Sequence, residues 1–110
     1  MDEESYVDLA HTTFRRLLDV FDRVDVEDAD VESAGDVITI TWRSGRKCVI
    51  NTQRPARQIW LAAGDRAWHF RWDGASGSWV DDKGSGAELF ATVAEIARRE
   101  AGLHLQVGGS

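Results

Sequence analysis

From Val37 to Asp81 the chain is a succession of short segments in which apolar and polar side chains alternate, each ended by a turn built on glycine, proline or aspartate. Alternation with period two puts successive side chains on opposite faces of a strand. Parallel pairing needs a crossover of about a dozen residues or more, which none of these connections supplies, so each segment must fold back antiparallel on the last. The pattern predicts strands over 37–43, 46–53, 57–62, 67–72 and 78–81, joined at Ser44-Gly45, Pro55, Gly64-Asp65 and Asp73-Gly74 to Gly77. One face collects Ile38, Ile40 and Trp42, then Cys48 and Ile50, Ile59 and Leu61, and Trp68, Phe70 and Trp72. The other face is left with Asn51, Gln53, Gln58, Trp60, His69 and Arg71.

The flanks carry a different period. Tyr6, Leu9, Thr13, Leu17, Phe21 and Val24 recur every three or four residues, the stripe of an amphipathic helix running from Asp2 to about Val24. Asp2, Glu3 and Glu4 complement the positive end of its dipole. Between Asp25 and Glu32 acids are too dense for a helix interior, and the spacing of Asp30 and Glu32 predicts a short first strand before a turn at Gly35-Asp36. Ser85-Gly86-Ala87-Glu88 has the spacing of a capping box and predicts a second helix, with Leu89, Phe90, Val93, Ile96 and Ala97 as its buried stripe and Gly102 as its terminator. Leu103 to Val107 is expected to lie extended against the helices, and residues 108–110 to be an unpacked tail. Both helices must cover the same apolar sheet face. The expected fold is α+β, a two-layer sandwich of an antiparallel sheet of about six strands with the helices packed on one side, a single domain over 1–107.

Composition narrows the function classes. A net charge of -6 and a pI near 4.9 argue against a nucleic-acid or anionic-membrane partner and favour cations or a basic protein surface. With 43% hydrophobic residues and five tryptophans the chain is not disordered. Cys48 is the only cysteine and alternates onto the apolar face, where an inert buried thiol is expected. No apolar run is long enough to cross a bilayer and no leader is apparent, so the bacterial cytoplasm is the expected location. Ser44, Ser78 and Ser85 lack a histidine–acid pattern, and the glycines form no phosphate-binding fingerprint. His11, His69 and His104 each read as a surface residue, His69 as the one beside Trp60.

Two surface features remain. Asp19 and Asp22, three apart on the expected helix, lead into Asp25, Glu27, Asp28, Asp30 and Glu32. Crowded carboxylates repel one another, so a cation that relieves the repulsion would bind and stabilise the fold. Oxygen ligands suit Fe²⁺, Fe³⁺, Mn²⁺, Ca²⁺ or Mg²⁺ without selecting among them. The run lacks the glycine and distal glutamate of an EF-hand, so any binding is weak and exposed; by charge pattern alone a solvated acidic face is the simpler account. The second feature is the indole and carboxamides of Asn51, Gln53, Gln58 and Trp60, which are either ordinary solvated positions or a contact surface.

The string Ile50-Asn51-x-Gln53-x-Pro55-x-x-Gln58-Ile59-Trp60-Leu61 resembles the signature of the frataxin family, and the order of elements resembles that family's fold over essentially the whole chain. The resemblance implies that Asn51, Gln53, Gln58 and Trp60, with His69 beside them, form a partner-binding patch. It also implies that Asp19, Asp22, Asp25, Glu27, Asp28, Asp30 and Glu32 bind iron weakly and reversibly. Leu18 and Arg23 stand where bacterial frataxins carry acids, which implies a lower iron affinity or stoichiometry here. The implied role is that of an iron-binding accessory protein of iron–sulfur cluster assembly. It would be an iron donor or an iron-dependent regulator, partnered by the cysteine desulfurase and the scaffold, and monomeric unless iron drives oligomerisation. The alternative is a ferroxidase that stores oxidised iron in oligomers.

Overall fold

The computed structural model describes residues 1–106, so the expectations for Val107 and for the tail at 108–110 fall outside the described residues. The elements run α1 (Glu3–Val20), β1 (Ala29–Ala34), β2 (Val37–Trp42), β3 (Lys47–Gln53), β4 (Gln58–Ala63), β5 (Arg66–Asp73), β6 (Ser78–Asp81) and α2 (Leu89–Ala101). The six strands form one sheet in sequence order, every neighbouring pair antiparallel. The expected α+β sandwich is the observed fold.

Turn chemistry sets the register. Ala34 pairs with Val37 and Ala63 with Arg66. Each hairpin therefore closes on two residues, with Gly35 at φ 60° and Gly64 at φ 63° supplying the left-handed backbone such turns need. The β3–β4 turn leaves Arg57 at φ 55°, the single non-glycine in that region among the described residues. The buried face of the sheet is Ile38, Ile40 and Trp42, Cys48 and Ile50, Ile59 and Leu61, Phe70 and Trp79, all sealed beneath the helices. Burial pushes the Cys48 thiol up to about 12, so it stays protonated and unreactive at neutral pH. Of the β5 aromatics expected inside, only Phe70 is sealed. Trp68 and Trp72 are half-buried at the margins, the first under the Arg66 guanidinium at 4.6 Å and the second edge-on to Trp79 at 5.4 Å.

Both helices depart from the expected boundaries. α1 ends at Val20, with Phe21 as its C-cap, so Asp22 is not on a helical face with Asp19. The amides of Phe21, Asp22 and Val24 each bond three residues back, tightening the chain into turns. Asp19, Asp22 and Asp25 would oppose the negative end of a longer helix dipole, and no basic residue occupies the last turn to offset them. Ala10 and Phe14 are buried in the stripe, whereas Leu9 and Val24 are only half-covered. In α2 the cap is Glu88 rather than Ser85. The Glu88 carboxylate accepts from Phe90 N at 3.0 Å and Ala91 N at 3.1 Å, while Ser85 Oγ accepts from Ala87 N in the preceding turn. Gly102 closes α2 with left-handed backbone, and the expected stripe is the buried one.

Two polar links lock α1 to the sheet. The Tyr6 hydroxyl donates to Gln58 O at 2.5 Å and accepts from Gln53 N at 3.1 Å, bridging the ends of β3 and β4 from the helix side. Burial pushes its pKa up, so it remains a donor. Thr13 Oγ1 donates to Leu9 O and accepts from the Trp79 indole N–H at 2.8 Å, so neither buried polar group is left unpaired.

Candidate functional site

With both helices on one side, the other side of the sheet is open. Cross-strand register lines up Asn51, Trp60 and His69 in one row across β3, β4 and β5, and Gln53, Gln58 and Arg71 in the adjacent row. Every residue expected to form the patch is therefore on the open face. The same alternation puts Asp30 and Glu32 of β1 on this face, the latter in register with Thr39, which faces Val49.

Trp60 is half-buried. Its ring lies on the His69 imidazole, with centroids 4.1 Å apart and planes 12° from parallel. Its indole N–H donates to Gln58 Oε1 at 2.7 Å, two residues back on the same strand. Gln58 Nε2 in turn donates to Asp82 Oδ2 at 3.1 Å, and the same oxygen stands 3.9 Å from His69 Nδ1. The Asn51 amide donates to Thr52 O. The ring is amphipathic and held by a polar network, with one end apolar and the other wet, a combination enriched where protein surfaces meet.

The acidic residues are strung along the adjoining edge. Asp19 lies in the last turn of α1, Asp22 sits in the turn beyond it, Asp25 to Asp28 form the loop, and Asp30 and Glu32 ride on β1. They are not equivalent. Asp28 is held by Arg43, whose Nε and Nη2 reach its Oδ1 at 2.7 and 2.6 Å, a hydrogen bond that raises the Arg43 pKa further. Asp25 Oδ1 accepts from Glu27 N at 2.9 Å and shapes the loop. Asp19, Asp22, Asp30 and Glu32 have no side-chain partner among the described residues. Nowhere among those residues do three acidic, histidine or cysteine side chains converge to hold a metal. Such a string can attract hard cations and exchange them freely, but it has no cage to retain one. His11 and His104 are exposed and join neither the patch nor a metal-holding group.

Reading the sequence alone missed Asp82 and Arg43. Asp82 follows the end of β6, and its amide still bonds His69 O at 2.8 Å, which carries the β5–β6 ladder one residue further and places the carboxylate beside the patch. The only trace of this in the sequence is the count of residues around the β5–β6 turn.

A family model for the frataxin-like domain matches residues 1–103. The iron-sulfur cluster assembly protein CyaY of Delftia acidovorans is 36% identical over 109 residues, covering 96% of each chain. Its Pseudomonas aeruginosa counterpart is 34% identical over 99% of each. Among solved structures, the frataxin of Psychromonas ingrahamii superposes with a TM-score of 0.88 at 22% identity, over 99% of this chain and 100% of that one, and so shares the fold. A trimeric frataxin of Saccharomyces cerevisiae, complexed with ferrous iron, matches with a TM-score of 0.60 at 25% identity, over 94% of this chain and 88% of that one. The sheet, its open face and these matches together make the chain a member of the frataxin-like family.

Proposed function

We propose that this protein is an iron-binding accessory factor of iron–sulfur cluster assembly in the bacterial cytoplasm, docking on the cysteine desulfurase and its scaffold through the open sheet face. Relatives that are named iron-sulfur cluster assembly proteins support the role, and the yeast relative complexed with ferrous iron supports the metal. The observation that carries the docking is the half-exposed Trp60 held among carboxamides on the face that the helices leave uncovered. Asp30 and Glu32 extend the same face with negative charge, which suits a basic partner surface. Calorimetric titration of purified cysteine desulfurase tests this: saturable binding at low salt, weakened by added salt, is expected. Absence of binding under those conditions would remove the docking role.

Iron is cargo or signal here, bound loosely by Asp19, Asp22, Asp25, Glu27, Asp28, Asp30 and Glu32. Because Arg43 already neutralises Asp28, the cation is expected to act on the crowded carboxylates on the helix side of it, Asp19, Asp22 and Asp25. Anaerobic Fe²⁺, or Ca²⁺ as a redox-inert substitute, is expected to raise the melting temperature by a few degrees. The triple variant Asp19→Asn, Asp22→Asn, Asp25→Asn is expected to lose that rise. An unchanged metal-induced shift in the triple variant would place the cation elsewhere. Desulfurase turnover measured with and without Fe²⁺ separates signal from cargo, since only a regulator changes the rate before any cluster forms.

A further inference from the structure

Gln58, Trp60, His69 and Asp82 close a ring. The indole N–H of Trp60 donates to Gln58 Oε1 at 2.7 Å, and Gln58 Nε2 donates to Asp82 Oδ2 at 3.1 Å. That oxygen is 3.9 Å from His69 Nδ1, and the imidazole lies flat on Trp60 at 4.1 Å. One member is out of the ordinary. A primary amide presents a donor at one end and an acceptor at the other, and the indole N–H, which only donates, takes the oxygen end of Gln58. A carboxylate only accepts. At the far end Asp82 takes the NH₂, so both partners require the same sense of the amide and Gln58 is tied down at both ends. The flipped amide would set NH₂ against the indole N–H and oxygen against the Asp82 carboxylate, two repulsive contacts in place of two hydrogen bonds.

Asp82 is itself held in place from the backbone. Its amide donates to His69 O at 2.8 Å, and Gly84 N bonds Asp81 O to turn the chain immediately afterwards. The carboxylate is 28% exposed and lies beyond the last paired residue of β6, so it carries no core packing. Its Oδ2 is aimed at the ring of residues on the open face.

We propose that Asp82 is the positioning residue of the docking patch: by anchoring the far end of the Gln58 amide it holds the Trp60 ring in one orientation before a partner arrives. This rests on the docking reading given above. Pre-ordering a large interface side chain removes an entropic penalty from association, and its loss is expected to weaken binding about three- to tenfold.

The test uses the full chain with ¹⁵N-labelled tryptophan, the Trp60 indole peak being assigned through Trp60→Phe, together with titration of the cysteine desulfurase. In Asp82→Ala the Trp60 indole N–H is expected to shift and to exchange faster with water, affinity to fall by the stated factor, and the melting temperature to stay within about two degrees. In Asp82→Asn both readouts are expected to return toward wild type, because the asparagine oxygen can accept from Gln58 while the charge is gone. An unmoved indole peak and unchanged affinity in Asp82→Ala would overturn the proposal. So would an Asp82→Asn variant as weak as Asp82→Ala, since that assigns the effect to a charge touching the partner directly. A large drop in melting temperature would make Asp82 a structural residue instead. If wild-type protein fails to bind the desulfurase, the docking reading falls, and the indole peak still decides whether Asp82 orients Trp60.

Discussion

Trp60→Arg is expected to reduce cysteine desulfurase binding below detection at micromolar concentrations while leaving a cooperative unfolding transition. An aromatic side chain at the centre of an interface typically carries about 2 kcal/mol or more of binding energy, a loss of roughly thirtyfold or greater. The arginine also brings a cation to a face whose acidic edge suits a basic partner, so repulsion adds to the missing stacking area. The fold should survive, because the ring is on the open face and its contacts are His69 and Gln58 rather than the sealed layer. The cross-strand contact with His69 is worth about 1 kcal/mol at most. Calorimetry for affinity and urea denaturation for stability read the two effects separately. Retained affinity in a folded Trp60→Arg protein would take the patch out of the interface.

Trp79→Ala is the corresponding test of the covered face, with the opposite outcome. Trp79 is 1% exposed, packs edge-on against Tyr6 at 6.2 Å and Trp72 at 5.4 Å, and donates to Thr13 Oγ1 across the layer boundary. Truncating such a residue leaves a cavity that its neighbours only partly fill, at about 3–5 kcal/mol. Domains of this size are typically stable by about 5–15 kcal/mol in all, so the variant should melt well over ten degrees lower or fail to fold. Trp79→Phe, which keeps most of the volume and loses the indole hydrogen bond, should give a distinctly smaller loss. A change in urea stability below about 1 kcal/mol for Trp79→Ala would show that the helices do not depend on this contact.

The two tryptophans illustrate how much of the site could be read from the chain. Both lie on alternating strands, and alternation decides their opposite fates: Trp60 shares a face with Gln58, whereas Trp79 shares one with Asp81 beneath the helices. The placement of Asn51, Gln53, Gln58, Trp60 and His69 on the open face followed from that parity, whereas their reading as a partner-binding patch came from the family resemblance. Boundaries were less legible where two local preferences competed. The apolar period of α1 continues to Val24, but acids at its C-terminal end oppose the dipole and the helix stops at Val20. Ser85 and Glu88 have capping-box spacing, yet the chain places Glu88 at the cap because Val80 bridges to Glu88 and Ala87 O receives the Asp81 amide, holding the preceding residues extended.

What the sequence determined unaided is therefore the pattern set by near neighbours: the strands, which side of each is greasy, the helix stripes apart from their ends, and the sheet face left bare. Period and turn residues are local properties, and a side chain's face is settled by its own backbone. Only the tertiary structure decided which distant side chains meet. Asp82 reaches Gln58, Arg43 neutralises Asp28, and Thr13 satisfies Trp79 because turn lengths and helix packing add up across the whole sheet to set register. No segment holds that sum by itself, and a shift of one residue in a ladder would send the side chains of the shifted strand to the opposite face.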